Sequence, residues 1–279
     1  MIRKSVLDDL SILIIGFDGY KDVWDRDIYL MNKFWPDRPK TYLVNSELVP
    51  IYDGIEIINA GPNSEWSRKV QVALDRVDTP YVLLLLEDFF ITDYVDNKML
   101  ESIIQMIEDD GILFYQLLVQ LINQKWEKGK TYKRDKNIKI IPSNKKYGIN
   151  LQAAIWDKEF LKKTIGIGNY NAWKFEINQL GREDFNIEKI EYLIDVRNVL
   201  NILHTVVQSK YLRQAKRKLV KMGIVIPESE RKQLSIADNF KYEFKLFMYS
   251  ATPGFLIKPF KAIGRFLKVD FVTDRISKS

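Results

Sequence analysis

The stretch Asp78-Thr-Pro-Tyr-Val-Leu-Leu-Leu-Leu-Glu-Asp-Phe-Phe-Ile-Thr-Asp93 decides the fold class of this 279-residue chain. Its apolar run, 81–86, is too short to cross a bilayer and is typical of a strand buried on both faces of a parallel sheet. Glu87 and Asp88 follow the run directly, where open α/β sheets bind their ligands. Because buried carboxylates need partners, the stretch predicts a site for a divalent metal carrying a phosphate. The alternative is that Glu87 caps a turn and Asp88 pairs with a Lys or Arg.

Strands and helices alternate along the first half of the chain. The predicted strands are 10–15, 41–44, 55–58 and 81–86, and the predicted helices between them are 22–34 and 65–76. Further on, we predict helices 96–107 and 157–164, strands 112–118 and 151–156, and exposed hairpins or a loop over the lysine-rich 125–146. Such alternation favours an α/β fold, a mostly parallel sheet flanked by helices.

Composition restricts the chemistry and the partners. The chain contains no cysteine, which excludes disulfides, thiolate catalysis and cysteine-ligated zinc and suits a cytoplasmic location. Its formal net charge of +6 favours acidic partners such as a nucleotide, a phosphate or an anionic lipid. Nucleic acid is not expected as a partner, because no recognised binding motif accompanies the charge.

Several short segments carry a family resemblance. They are Ser64-Glu-Trp-Ser-Arg-Lys69, Tyr81–Asp88, Leu151-Gln-Ala-Ala-Ile-Trp156, Ala172-Trp-Lys-Phe-Glu176 and His204-Thr-Val-Val-Gln-Ser-Lys-Tyr211. Their order resembles the nucleotide-sugar-binding half of glycosyltransferases with the A-type (GT-A) fold, especially those of bacterial capsule and surface-polysaccharide synthesis. The resemblance covers about residues 10–225. It implies a catalytic domain over 1–205, followed by a basic, amphipathic helical region over 206–279.

The resemblance implies a metal site after the fourth strand. In that family an Asp-x-Asp motif holds Mn²⁺ or Mg²⁺ against the diphosphate of the donor, and the matching residues here are Leu86-Glu87-Asp88. Asp88 is expected to bind the metal directly. Glu87 is expected to contact it through water, or to hold the donor ribose or sugar. A late histidine often completes this site, which makes His204 the second expected ligand; the alternative is a half-buried surface imidazole.

The donor nucleotide, expected to be UDP-linked, is assigned to the loops after the first strands. Asp18 is expected to accept a hydrogen bond from the uracil, and Phe17 or Tyr20 to stack on its ring, with an ordinary turn as the alternative for Asp18. Arg68 and Lys210 are candidates to bind phosphate. For both cations, a structural salt bridge is the alternative.

The acceptor side needs a general base and an aromatic surface for a sugar. Glu176 resembles the acid of the family's Trp-x-x-Glu element and is expected to take the proton of the acceptor hydroxyl. Asp184 is its rival, and a solvated loop acid is the alternative for both. Trp156 and Trp173 are expected to contact the acceptor. The implied reaction is a direct displacement that inverts the anomeric carbon.

The chain after residue 205 is basic and rich in apolar residues. We predict an amphipathic helix over 209–222 and a similar mixture over 240–271. One interpretation is a helix packed on the core with a solvated basic face. The other is attachment to the anionic inner face of the cell membrane, where a lipid-linked saccharide acceptor would be found.

The predicted function is therefore a metal-dependent glycosyltransferase that extends a bacterial surface glycan from a nucleotide-diphosphate sugar. A sugar nucleotidyltransferase is one alternative, although Gly16-Phe-Asp-Gly19 is a poor version of the phosphate loop that such enzymes carry. The other is a catalytically inactive, membrane-associated scaffold of the same fold.

Overall fold

The computed structural model describes residues 5–118, 129–141, 148–179, 192–227 and 229–251. These residues belong to two compact units, one running through residue 205 and the other beginning at Val206. In the first unit the strands are β1 Leu10–Ile15, β2 Thr41–Asn45, β3 Ile55–Asn59, β4 Tyr81–Leu86, β5 Phe89–Ile91, β6 Phe114–Gln116, β7 Thr131–Tyr132, β8 Asp135–Ile141, β9 Ala154–Asp157, β10 Tyr192–Asp195 and β11 Ile202–His204. Its helices are α1 Lys21–Phe34, α2 Trp66–Leu74, α3 Asn97–Asp110, α4 Lys158–Ile165 and α5 Ala172–Asn178.

Nine of these strands form one sheet in the order β3-β2-β1-β4-β9-β6-β10-β8-β7. Strands β3, β2, β1 and β4 are parallel neighbours, whereas β9 is antiparallel to both β4 and β6. Only β8 and β9 oppose the direction shared by the rest of the described sheet. The predicted α/β fold with a mostly parallel sheet is therefore confirmed.

The strand order predicts a crevice at the ends of β1 and β4. The chain moves from β1 outward to β2 and β3, then returns to place β4 on the other side of β1. Open α/β sheets bind ligands at such a reversal, outside the carboxyl ends of the strands. Ile15 and Leu86 are aligned as the last residues of β1 and β4, so Gly16 and Glu87 begin the two segments that border this crevice.

Burial explains why β4 is uniformly apolar. Val82, Leu83, Leu84 and Leu85 are at most 3% exposed, because β4 is hydrogen-bonded along both edges and covered on its faces. Leu83 and Leu85 share a core cluster with Trp24 and Ile28 of α1. Helix α2 contacts β1, β2 and β3. A continuous apolar run is typical of an interior strand that is buried on both faces of the sheet.

The second unit contains β12 Val206–Val207, β13 Lys210–Tyr211, α6 Arg213–Lys221 and α7 Ile236–Ala251. The predicted helix over 209–222 begins too early, because β12 and β13 form a hairpin whose turn residues Gln208 and Ser209 have left-handed φ angles of 50° and 61°. Within the described ranges, no helix combines the length and hydrophobicity that a bilayer crossing requires. The described part of the predicted basic helical C-terminal region contains α6 and α7, its role as a separate region stays a prediction, and the predicted segment beyond residue 251 lies outside the described residues.

Candidate active site

Asp88 and His204 form a pair at the carboxyl end of β4. Strands β5 and β11 are antiparallel with Phe89 opposite His204, so a residue late in the chain returns beside Asp88. His204 Nε2 lies 2.7 Å from Asp88 Oδ2. The backbone N–H and hydroxyl of Thr205 both donate to the Asp88 carbonyl oxygen, each at 3.0 Å. The two residues predicted as metal ligands are therefore in contact, with side chains 14% (Asp88) and 26% (His204) exposed.

This pair suits a divalent metal that also binds a substrate. A carboxylate oxygen and an imidazole nitrogen are both donors that Mn²⁺ accepts. Among the described residues, no group of three or more His, Asp or Glu side chains is placed to hold a metal. Mg²⁺ and Mn²⁺ sites that act on phosphates often use one or two protein ligands and fill the remaining positions with water and phosphate oxygens. Asp88 and His204 fit that kind of site, and their role as ligands stays a prediction.

Glu87 is engaged within the protein. Its Oε2 accepts hydrogen bonds from the Phe17 backbone N–H and from Trp24 Nε1, the latter at 2.7 Å. Burial raises the pKa of Glu87 to about 8, although these two hydrogen bonds act to lower it. Glu87 thus ties the end of β4 to the turn after β1 and to α1. These contacts match the turn-capping alternative rather than the predicted contact with metal, ribose or sugar.

Asp18 connects the loops that follow β1 and β2. Its carboxylate accepts the backbone N–H groups of Ser46, Glu47 and Leu48 at 2.8, 2.9 and 3.1 Å. Burial alone would raise the pKa of Asp18, but these hydrogen bonds hold it below the ordinary value. A carboxylate that already accepts three N–H groups matches the turn alternative better than the predicted hydrogen bond from a uracil.

Phe17 offers an exposed aromatic surface at the end of β1. The residue is 57% exposed, and its ring packs edge-on against Tyr20, with 5.7 Å between the ring centroids. The preceding Gly16 is required here, because a Cβ atom would lie 2.8 Å from the Trp24 ring. An exposed ring on a constrained turn suits stacking by a base, so the stacking role of Phe17 and Tyr20 stays a prediction.

Helix α2 directs Lys69, not Arg68, into the crevice. Arg68 is exposed, whereas Lys69 is only 4% exposed and its Nζ donates to the Gly16 carbonyl at 2.7 Å. Sequence reasoning selected Arg68 and missed its neighbour. Helical periodicity could have identified Lys69. It lies four residues before the buried Ala73 and three after Trp66, and therefore on the buried face of the helix. We call Lys69, Glu87, Asp88 and His204 the charged crevice.

Asp27 is a further buried acid that sequence reasoning missed. It lies in α1, is 1% exposed, and its Oδ1 has no hydrogen-bond partner among the described residues. Burial raises its pKa well above the ordinary value, and the nearby charges of Asp88 and Glu87 act in the same direction. Its position in the middle of an apolar helix face was the available signal.

Glu176 lies at the same edge of the sheet, on the predicted acceptor side. It is partly buried in α5, and its Oε1 accepts the Leu151 backbone N–H at 3.1 Å. Since β9 is antiparallel to β4, Leu151, which precedes β9, lies toward the carboxyl end of β4. Burial raises the pKa of Glu176 against the opposing effect of that hydrogen bond. Its role as general base stays a prediction.

The prediction that Trp156 contacts the acceptor is wrong. Trp156 is fully buried in β9, with its ring centroid 4.5 Å from that of Phe114 and 6.2 Å from that of Phe175. It is buried because β9 is paired with β4 on one edge and β6 on the other. Trp173 in α5 is 60% exposed, so its contact with an acceptor stays a prediction.

Two predicted site residues are not among the described residues of the first unit. Lys210 belongs to the β12–β13 hairpin of the second unit, where it is paired with Val207. Its predicted contact with phosphate stays a prediction. Asp184 lies outside the described residues.

No family model and no curated protein matches the sequence. Among solved structures, the chain is similar to TarS of S. aureus (12% identity, TM-score 0.40, 86% of this chain) and spans 43% of that protein. It is similar to an active-site mutant of LgtC (10% identity, TM-score 0.40, 78% of this chain and 98% of the other). A cytidylyltransferase from Leptospira borgpetersenii serovar Hardjo-bovis is also similar (12% identity, TM-score 0.44, 88% and 98%). Because all three TM-scores are below 0.5, these similarities carry no part of the functional proposal.

Proposed function

We propose that this chain is a glycosyltransferase that transfers a sugar from a nucleotide-diphosphate sugar, UDP-linked in the first instance, to a glycan acceptor. The observation that carries this proposal is the Asp88–His204 contact at the carboxyl end of β4. It lies where the strand order reverses, which is the ligand-binding position of open α/β sheets. The exposed ring of Phe17, at the end of the adjacent β1, gives the same crevice a surface for a base.

In this proposal Asp88 and His204 would hold Mn²⁺ or Mg²⁺, which when bound would supply positive charge for the oxygens of the departing nucleoside diphosphate. Glu87 and Asp18 orient the loops after β4, β1 and β2, because each binds backbone N–H groups of a neighbouring segment. Phe17 stacks on the base.

Glu176 is the proposed proton acceptor. The acceptor hydroxyl oxygen forms a bond to the anomeric carbon, the bond from that carbon to the diphosphate oxygen breaks, and the hydroxyl proton passes to the Glu176 carboxylate. A pKa raised by burial makes this carboxylate a stronger base than an exposed one. The exposed Trp173 in the same helix offers an apolar face for the acceptor sugar. A single displacement of this kind inverts the anomeric carbon.

The geometry of the first turn disfavours a nucleotidyltransferase. Such an enzyme needs backbone N–H groups that are free to bind phosphate. Here the Gly16 N–H donates to the Val44 carbonyl, the Phe17 N–H to Glu87 and the Tyr20 N–H to the Phe17 carbonyl. The turn therefore serves the protein's own structure.

We further propose that the second unit attaches to anionic membrane at the cytoplasmic face, where lipid-linked acceptors of surface polysaccharides are extended. Helix α6 contains five cations and no acid, namely Arg213, Lys216, Arg217, Lys218 and Lys221. Ala215 and Leu219, on the opposite side of this helix, are buried. Val220, Val225, Ile236 and Phe240 are exposed apolar residues of this unit. Apolar area and positive charge together support binding to anionic lipid.

The test of the enzymatic proposal is release of nucleoside diphosphate from a panel of sugar nucleotides by the purified chain, with Mn²⁺, Mg²⁺ or EDTA. We expect one donor to be hydrolysed slowly, in a metal-dependent manner, and faster when a suitable saccharide is added. Absence of metal-dependent release from every donor would contradict the proposal. For the membrane, binding to vesicles containing phosphatidylglycerol but not to neutral vesicles is expected, and equal binding to both would contradict it.

A further inference from the structure

Lys69 is a buried cation with unused hydrogen-bonding capacity. Its side chain is 4% exposed, and its ammonium group has three N–H donors. Among the described residues, the Gly16 carbonyl is the single acceptor that Lys69 Nζ bonds. Burial lowers the pKa of Lys69, which shows the cost of keeping the charge in this place.

The position of Lys69 in its helix adds to that cost. It lies in the first turn of α2, where the helix dipole disfavours a positive charge and favours an anion. Asp18, Glu87 and Glu65 act on its charge from a distance, but Lys69 makes no ion pair with any described residue. Both the loss of hydration and the helix dipole disfavour a buried charge at Lys69. Its burial is explained if an anion binds beside it.

The surroundings of Lys69 indicate which anion. The peptide joining Gly16 and Phe17 is held on both sides, its carbonyl by Lys69 and its N–H by Glu87. Lys69 Nζ lies 5.9 Å from the centroid of the exposed Phe17 ring. The cation therefore lies beside the proposed base-stacking surface, on a peptide whose other side is held by Glu87, the residue that precedes the proposed metal ligand Asp88.

We propose that Lys69 binds the diphosphate of the donor nucleotide through the N–H groups that Gly16 leaves free. This inference rests on the proposed function, because it assumes that the crevice binds a nucleotide. It replaces Arg68 as the phosphate-binding cation of α2. The flexible lysine stem lets the ammonium group keep its contact with Gly16 while it turns its other donors to phosphate oxygens.

The test compares a nucleoside diphosphate with its nucleoside. By calorimetry at a fixed Mn²⁺ concentration, the tightest binder among UDP, CDP, GDP, ADP and dTDP is measured beside the matching nucleoside. Lys69→Gln keeps an N–H donor for Gly16 and removes the charge. We expect Lys69→Gln to lower the affinity for the diphosphate about ten- to hundredfold, the usual loss for charged hydrogen bonds. The affinity for the nucleoside should be unchanged.

Two further variants sharpen the assignment. Arg76→Gln removes an exposed cation just beyond α2 and controls for net charge. Arg68→Gln tests the neighbouring cation directly. If Arg68→Gln loses affinity for the diphosphate and Lys69→Gln does not, the inference is overturned. It is also overturned if Lys69→Gln lowers the affinities for diphosphate and nucleoside equally, because that result indicates a structural role.

The outcomes separate this inference from the proposed function. If the unmodified chain binds a nucleoside diphosphate and Lys69→Gln binds it equally well, only the role of Lys69 fails. If the unmodified chain binds no nucleotide, the proposed function fails and takes the inference with it. Should Lys69→Gln not fold, NMR of the unmodified chain decides. The ε-methylene resonance of Lys69 should shift with the diphosphate and not with the nucleoside; no shift with the diphosphate would overturn the inference.

Discussion

Two regions of the first unit are held together by different forces. In the charged crevice, Glu87 and Lys69 bond to opposite sides of one peptide, and Asp88 contacts His204. In the second region, an aromatic cluster of Trp66, Phe114, Trp156, Phe160, Phe175 and Tyr192, rings pack against one another with centroids 4.5 to 6.3 Å apart. Among the described residues, Trp66 Nε1 and Trp156 Nε1 of this cluster have no hydrogen-bond partner. Packing of rings therefore stabilises the cluster, whereas hydrogen bonds and charges organise the crevice.

The largest effect on stability is expected in the aromatic cluster. Phe114→Ala removes a fully buried ring from between Trp156 and Tyr192, and such truncations cost about 3–5 kcal/mol. Urea denaturation measures the loss, and nucleotide affinity of the remaining folded protein should be unchanged. An unfolding midpoint equal to that of the unmodified chain would contradict the structural role of the cluster.

Asp88→Ala is expected to reduce activity and to leave stability nearly unchanged. It removes one of two proposed metal ligands, so metal-dependent release of nucleoside diphosphate should fall about 100- to 1000-fold, while the unfolding midpoint changes little. Asp93→Ala is the matched control, because Asp93 is an exposed acid in the same segment. Equal activity of Asp88→Ala and Asp93→Ala would contradict the assignment of Asp88.

A smaller effect is expected for Asp27→Asn, on the buried α1 side of the crevice. The raised pKa of Asp27 means that folding favours the protonated acid. Its stabilising effect is therefore complete below the unfolded-state pKa and is lost as pH rises through the folded-state pKa. Asparagine does not titrate, so the unfolding midpoint of Asp27→Asn minus that of the unmodified chain should increase with pH. Measurements in EDTA from pH 5 to 9 test this, and a difference between the two midpoints that does not change with pH would contradict it.

The sequence located the crevice because the signal was local. A six-residue apolar run followed by two acids predicted a buried strand and a polar strand end, and both are present in β4 and Asp88. The contact with His204 depends on the antiparallel pairing of β5 and β11, which local pattern does not encode. It was reached through the family resemblance.

Trp156 and Lys69 are residues whose burial was not predicted from the local sequence pattern. Trp156 was predicted to contact the acceptor, but its burial follows from the pairing of β9 with two strands distant in sequence. Lys69 could have been identified from helical periodicity, because it shares the face of Ala73, but the prediction considered only Arg68, as a cation near the start of the helix that follows β3. Glu87 and Asp18 were predicted to contact the donor or the metal, but the backbone N–H groups that they accept belong to segments distant in sequence, which local pattern does not encode.

The measurement that tests the central claim most directly is calorimetric titration of nucleoside diphosphates into the unmodified chain and Asp88→Ala, with Mn²⁺ or EDTA. We predict that one nucleoside diphosphate binds the unmodified chain more tightly with Mn²⁺ than with EDTA, and that Asp88→Ala abolishes this difference. Failure of every nucleoside diphosphate to bind, or a Mn²⁺ effect that is the same in Asp88→Ala, would contradict the assignment of the charged crevice as a metal-dependent nucleotide site.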